Sequence, residues 1–356
     1  MKHALQLQRL FCGALVLVLL TACGLAPQSK NSDPLIVYDW VDDLPQSLLD
    51  EFTRQTGIKV QTEGYQSQEE AVENVAGGFK ADVLVLDAEQ IGPAIESGVI
   101  QRFDKSGVPN LDGVMQMFRG LSFDPQTEYA IPFTWGTSGI ITTPDAAPVS
   151  SWADLFDTPN RVGVWNDFHY TTGALLKGLG YSANTESADE LSQAEAAFSM
   201  LSPRIVVQEG IDTTTLTDLF VDDKIDVAIG YALDYQDARS YGLDVQYILP
   251  SDGPILWMDF FTLPASSQRQ ADALKFINFM LDAKNAAAYT QSSYYATGVE
   301  KAADYLPQEI LNDPSIYPSI ETLNESELLM SLSDETQKEY FHLWELLSAS
   351  SKSTTN

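Results

Sequence analysis

The runs Leu35-Ile36-Val37-Tyr38 and Val83-Leu84-Val85-Leu86 are each four apolar residues long, too short for a helix. Runs of this kind read as strands buried on both faces, and such strands need a covering layer on each side. Helical patterns lie between them. Pro45 takes a first-turn position, Leu48, Leu49 and Phe52 mark one face, and Gly57 supplies a stop. Strand character resumes at Ile58-Lys59-Val60, and 69–76 predicts a second helix. This β-α-β-α-β order argues for an α/β fold with helices on both faces of a parallel sheet. The same grammar returns later. Val162-Gly163-Val164-Trp165 precedes a helical run over 172–179 with a stop at Gly180. Ile205-Val206-Val207 and Val227-Ala228-Ile229-Gly230 are strand-like around a helix at 216–224. A strand is predicted over 255–263, helices over 270–281 and 335–348, and a Ser/Thr tail closes the chain. No internal repeat of solenoid period is present.

Two α/β lobes of ordinary size suit the length. In open sheets of this class, ligands bind beyond the carboxyl ends of the strands. Acids and aromatics recur there. Asp39, Trp40, Asp42 and Asp43 follow the first strand, and Asp87 and Glu89 follow the third. Asn166 with Asp167, then Tyr231, then Trp257 with Asp259 follow later ones. Asp259 interrupts an otherwise apolar strand, which is hard to explain as a solvated face. The aromatics have a core reading and the other acids a helix-start reading. Asp222-Asp223 reads as a solvated helix end, and Trp135 and Trp152 as hinge packing and core.

The chain carries 50 Asp+Glu against 20 Lys+Arg, a formal charge of −30. Removing Lys2 and Arg9 with a leader takes this to −32. No basic surface is available to replace phosphate counterions, so nucleic-acid partners are excluded. The balance suits a cationic ligand or a saline medium. The two cysteines, Cys12 and Cys23, lie in the first 23 residues, so neither a disulfide framework nor a Cys-based zinc site is expected. The three histidines, His3, His169 and His342, provide no His-rich metal site, and no cofactor is expected.

Residues 1–22 read as a signal peptide: a basic start, then an apolar stretch from Leu10 to Leu20. Leu20-Thr21-Ala22-Cys23 resembles a bacterial lipoprotein box, which implies acylation of Cys23 and a polar tether over 23–33. The location implied is periplasmic or otherwise extracytoplasmic, anchored to the membrane.

Several strings, in order across nearly the whole mature chain, resemble the polyamine-binding proteins of bacterial ABC importers, the spermidine/putrescine type. They are Tyr38-Asp39-Trp40 with Leu44-Pro45, Glu51-Phe52-Thr53 with Thr56-Gly57-Ile58-Lys59-Val60, and Ile131-Pro132-Phe133-Thr134-Trp135-Gly136. Ser151-Trp152-Ala153-Asp154-Leu155 and Ile255-Leu256-Trp257-Met258-Asp259 complete the set. The resemblance implies the two-lobed periplasmic-binding-protein fold (type II), each lobe a mixed sheet flanked by helices, with hinge crossovers. Expected boundaries are lobe 1 over 34–137 and 258–303, lobe 2 over 138–257 and 304–350, and a tail over 351–356. Carried over by position, Trp40, Tyr231, Trp257 and Tyr295 would be aromatic walls, and Asp42, Asp167 and Asp259 the carboxylates. Tyr170 stands where the family often has an acid, and Asp43 where it has an aromatic. Asp87 and Glu89 replace a Ser and a Tyr of the spermidine binder, so that wall is more acidic and joins the candidate ligand-binding set.

A polyamine presents ammonium groups spaced by methylenes. Carboxylates answer the charges, while flat rings pack on the stem and offer cation–π faces worth ~0.5–2 kcal/mol each. The expected partners are a polyamine and the membrane permease of an ABC importer, or a membrane signalling receptor if the protein is a sensor, with the binding protein itself a monomer. Enzyme motifs are missing: no G-x-S-x-G, H-E-x-x-H or Walker A string occurs, and adjacent acids such as Asp42 and Asp43 would point opposite ways on an extended segment, a poor catalytic dyad. A carboxylate metal site is a rival in which the aromatics would have no role.

Overall fold

The computed structural model describes residues 33–41, 44–208 and 215–351. The expectations for the leader, Cys23, the tether, Asp42 and Asp43 lie outside the described residues.

From Leu35 onward the strands are β1 (Leu35–Trp40), β2 (Val60–Tyr65), β3 (Val83–Asp87), β4 (Ile100–Gln101), β5 (Ala130–Thr142) and β6 (Val162–Trp165). They continue as β7 (Ile205–Gln208), β8 (Val227–Tyr231), β9 (Gln246–Ile248), β10 (Ile255–Pro264), β11 (Ala296–Thr297) and β12 (Glu327–Leu328). The main path through the sheet is β2-β1-β3-β10-β5-β8-β6-β7. β1 is parallel to β2 and β3, and β6 is parallel to β7 and β8. The long strands β5 and β10 join these parallel halves by antiparallel pairing with each other, with β3 and with β8.

Two separate cores define two lobes. Val37, Phe52, Leu84, Phe261 and Phe276 belong to the first, and Val164, Leu175, Ile229, Tyr340 and Trp344 to the second. A smaller cluster of Ile141, Leu216, Phe220 and Ala228 covers the other face of the second lobe's sheet. The alternation is visible along β8, where Val227 and Ile229 face one cluster and Ala228 the other. β5 crosses from lobe to lobe: Ala130 to Trp135 pack in the first core and Ile140 in the second. One expected boundary is corrected. Leu306 and Ile316 still pack in the first core and Leu329 is in the second, so the return to lobe 2 comes after 316 rather than at 304. The chain recrosses where β12 pairs in parallel with β10, Glu327 opposite Ile255.

Local chemistry sets the element ends. Gly57 adopts φ 76° and its N–H reaches the Thr53 carbonyl at 2.8 Å, the left-handed C-terminal cap that glycine reaches without strain. The helix Phe168–Gly178 starts four residues before the predicted 172, because Asp167 caps it by accepting from the Tyr170 N–H. The β5–β10 register shifts between Asp259 and Phe260: Asp259 faces Thr134 while Phe260 faces Pro132. This bulge falls where Pro132 has no N–H to give the ladder. Trp152 is fully buried and its indole donates to the Gly253 carbonyl at 3.0 Å. The Asp252 carboxylate accepts from the N–H groups of Trp152 and Ala153, both at 3.0 Å.

Replacing Trp152 by Phe leaves the Gly253 carbonyl without its buried donor, at a cost of about 1–3 kcal/mol. Chemical denaturation should show that loss, and an unchanged midpoint would assign Trp152 no such structural role.

Candidate functional site

The sequence-predicted residues gather where the carboxyl ends of β1 and β3 meet the crossing strand β10. Trp40 ends β1 and Asp87 ends β3. Asp259 is the register partner of Asp87 across the antiparallel β3–β10 pair, which places two carboxylates side by side. In strand order β1, which carries Trp40, lies next to the rung, and Trp257 shares β10 with Asp259. Trp257 and Asp259, two residues apart on one strand, share a face. Asp259 is only 8 % exposed, while Trp40, Asp87, Glu89, Tyr231, Trp257 and Tyr295 are all half-buried.

The rings form a ladder between the lobes. Tyr170 stacks on Tyr231 at 4.8 Å, Tyr231 meets the Trp257 edge at 6.1 Å, and Trp257 meets Tyr295 at 4.8 Å. Tyr170 and Tyr231 pack with the second core and Tyr295 with the first. Trp257 lies so close to its register neighbour Gly136 that a Cβ there would come within 2.5 Å of the indole. Glycine is therefore what lets the indole approach β5 this closely. Trp40 packs instead on Tyr65, at 4.8 Å, beyond the acidic rung.

Two of the acids also cap helices. Asp87 Oδ1 accepts from the N–H groups of Glu89 and Gln90, at 3.0 and 3.2 Å. Asp167 Oδ1 accepts from the Tyr170 N–H at 3.0 Å. The helix-start reading of both is correct, and each uses one carboxylate oxygen in these bonds. Asp234, which sequence reasoning did not single out, is a support: its Oδ2 accepts from Tyr231 N–H at 2.8 Å and Trp165 Nε1 at 3.2 Å.

Crowding of like charge perturbs these groups. Burial, then Glu89 and Asp259, push the Asp87 carboxyl well up, against the pull of the Gln90 N–H. Burial, then Glu89, push Asp167 up to about 6. Asp167 is itself an exposed residue at the start of its helix, and Glu89 of the other lobe is the nearby charge that acts on it. Burial likewise pushes the Tyr231 phenol well up, so it stays a neutral hydroxyl.

His169 is the residue the sequence undervalued. It is 7 % exposed, and its Nδ1 lies 2.5 Å from Glu89 Oε2. Glu89 follows β3 on a helix packed in the first core, and His169 opens the helix after β6 in the second. The pair bridges the lobes. The signal available was the spacing alone, an acid and a histidine each two or four residues past a strand. Asp222 and Asp223 lie away from this cluster, paired with Lys224 and Arg161. Among the described residues, no three acidic, His or Cys side chains converge to hold a metal ion.

The described site is thus a cluster of acids beside a run of rings, suited to an organic cation with an apolar stem. The family model for bacterial extracellular solute-binding proteins matches residues 47–318. A putrescine-binding periplasmic protein of Pseudomonas aeruginosa is 30% identical over 348 residues, covering 91% of this chain and 94% of the relative. The spermidine/putrescine-binding periplasmic protein of Salmonella typhimurium is 28% identical over 327 residues, covering 89% and 92%. Among solved structures, a spermidine/putrescine ABC transporter substrate-binding protein of Streptococcus pneumoniae superposes with a TM-score of 0.80 at 25% identity, covering 90% of this chain and all of that one. The chain belongs to the bacterial extracellular solute-binding proteins.

Proposed function

We propose that this protein captures a linear polyamine at the junction of its lobes and delivers it to an ABC importer. The observation that carries the reading is the Asp87–Asp259 rung beside the Tyr231–Trp257–Tyr295 ladder. Two carboxylates held side by side repel each other, and an ammonium group between them relieves that repulsion. The neighbouring rings supply the flat apolar walls that methylenes need. Trp40, Asp42, Asp43, Asp87, Glu89, Asp167, Tyr231, Trp257, Asp259 and Tyr295 remain the proposed ligand-binding set. The relatives' names speak of polyamine binding and, for the pneumococcal structure, of ABC transport, which favours delivery over sensing. The role is binding without catalysis, by a monomer, and family membership places the protein outside the cytoplasm. An acylated Cys23 would tether it there.

Calorimetry with putrescine, spermidine, norspermidine and spermine should give heat with at least one. Asp259→Asn should then cost about 2–5 kcal/mol of binding free energy, the range for breaking a buried charge pair. Asp223→Asn, changing a side chain that is 91% exposed, should leave affinity as it was. No heat with any of the four would end the polyamine reading, and equal losses would show that the site lies elsewhere.

A second expectation concerns pH. A carboxyl whose folded pKa is raised holds its proton more tightly folded than unfolded, so it adds stability at low pH that is lost as pH rises through the folded value. For Asp167 that window runs from its ordinary value of 3.8 up to about 6. A bound cation favours the ionised form, so binding should expel protons and weaken from pH 7 to pH 5. Heats of binding in buffers of different ionisation enthalpy measure this release. Asp167→Asn should diminish it, and an unaltered proton count would clear Asp167 of the role.

Anchoring is tested by Cys23→Ser, which should move the protein from the membrane fraction to the soluble one. Retention in the membrane would rule out the acyl tether.

A further inference from the structure

The Glu89–His169 pair spans the lobes at the acidic end of the site, and nothing in the proposed binding chemistry explains a histidine there. His169 faces Glu89 at 2.5 Å, with Asp167 on its own helix start and Glu69 within electrostatic range from the helix Gln68–Ala76. The Tyr340 ring lies edge-on at 5.4 Å and Phe168 stacks at 6.3 Å, so the nearest neighbours are carboxylates and aromatics. That environment is the one a polyamine ammonium would seek. Burial alone would strip the proton from the imidazole, but the attraction of Glu89, its hydrogen bond, and Asp167 carry the pKa up on balance. The ring is tied through Nδ1, while Nε2 is buried with no hydrogen-bond partner among the described residues. The ring is held by one polar side-chain contact and is not locked in a network.

We infer that His169 is an internal cation that occupies the Glu89–Asp167 end of the polyamine site, so that the site selects a short diamine over a longer triamine. This rests on the proposed polyamine reading and deepens it. The Asp87–Asp259 rung answers a ligand ammonium; Glu89 follows directly, its N–H donating to Asp87 Oδ1 at 3.0 Å, and its charge reaches Asp167 across the lobes, pushing that carboxyl up. With the imidazolium in place, a third ammonium reaching that end meets a like charge and must displace an ion pair. A diamine ends before it. The pair also holds Glu89 of one lobe to His169 of the other, so the selecting contact is made only when the lobes are together.

The test measures putrescine and spermidine affinities, at fixed pH and salt, for the full protein and four variants. The unaltered protein should prefer putrescine. His169→Gln, which removes the charge and keeps most of the bulk, should raise the spermidine-to-putrescine affinity ratio by about tenfold or more, since one like-charge contact in a partly buried site is worth at least that. His169→Lys, which keeps a cation, should retain the original ratio. The double variant Glu89→Gln/His169→Gln should lose the gain, because the carboxylate that a third ammonium would take is then absent. His169→Ala serves in the same way as His169→Gln if the latter misfolds. An unaltered protein that prefers spermidine, or a His169→Gln variant that changes both affinities equally, overturns the inference while the polyamine reading stands. Binding of neither amine by the unaltered protein overturns both.

Discussion

Repulsion among carboxylates that the fold brings together is the constraint on which the rest of this structure turns. It arises from ordinary secondary structure. A parallel strand that feeds a helix delivers the chain to a helix N-terminus, where unpaired N–H groups need acceptors. Asp87 and Asp167 answer that need in opposite lobes. Each aspartate is satisfied locally, yet its charge remains, and Asp259 adds another from the strand alongside. A cap made by Ser or Thr would have met the same N–H groups without that charge. The fold therefore tolerates the acids for reasons of local structure and gains from them a field that only cations relieve. Burial and like charge push the Asp87 and Asp167 carboxyls up, toward their neutral forms, and His169 stands against Glu89. The surrounding excess of acid draws cations from a distance, and salt screens that attraction.

Much of this was legible in the sequence, and the reasons can be traced to particular residues. Val83 to Leu86 announces a buried parallel strand because nothing polar interrupts it, and the acid just after it marks the strand's functional end. Asp259 stands out because a lone carboxylate in an apolar strand has no solvent-facing explanation. β5 was less legible: all thirteen of its residues are buried and Pro132 lies within it, so neither alternation nor an unbroken run gives it away. The helix Ala188–Leu201 escaped notice because alanine serves on its buried stripe, beside Leu191, Phe198 and Leu201. The boundary placed at 304 failed because residues to 316 still pack on the first core, a long-range fact that no local pattern carries. His169 was passed over for the same reason. Its partner is 80 positions away, and only the meeting of the lobes brings them together.

The division of the site between crossing strand and lobes has a thermodynamic consequence. Trp257 and Asp259 sit on β10, beside the points where β5 and β10 pass from one core to the other, so they form a floor that belongs to the junction itself. Glu89 belongs to one lobe and His169, Asp167 and Tyr231 to the other. A ligand shifts an equilibrium between open and closed forms only by the contacts that differ between them. Contacts with the floor exist in both forms and add affinity without driving closure. Contacts with the walls exist fully only when the lobes meet, and they convert binding into a change of shape. The cross-lobe ion pair is made by one bond to a ring whose other nitrogen has no hydrogen-bond partner among the described residues. A pair across the lobes is a contact that any opening would break, and a ligand's charges that touch both lobes would add to it.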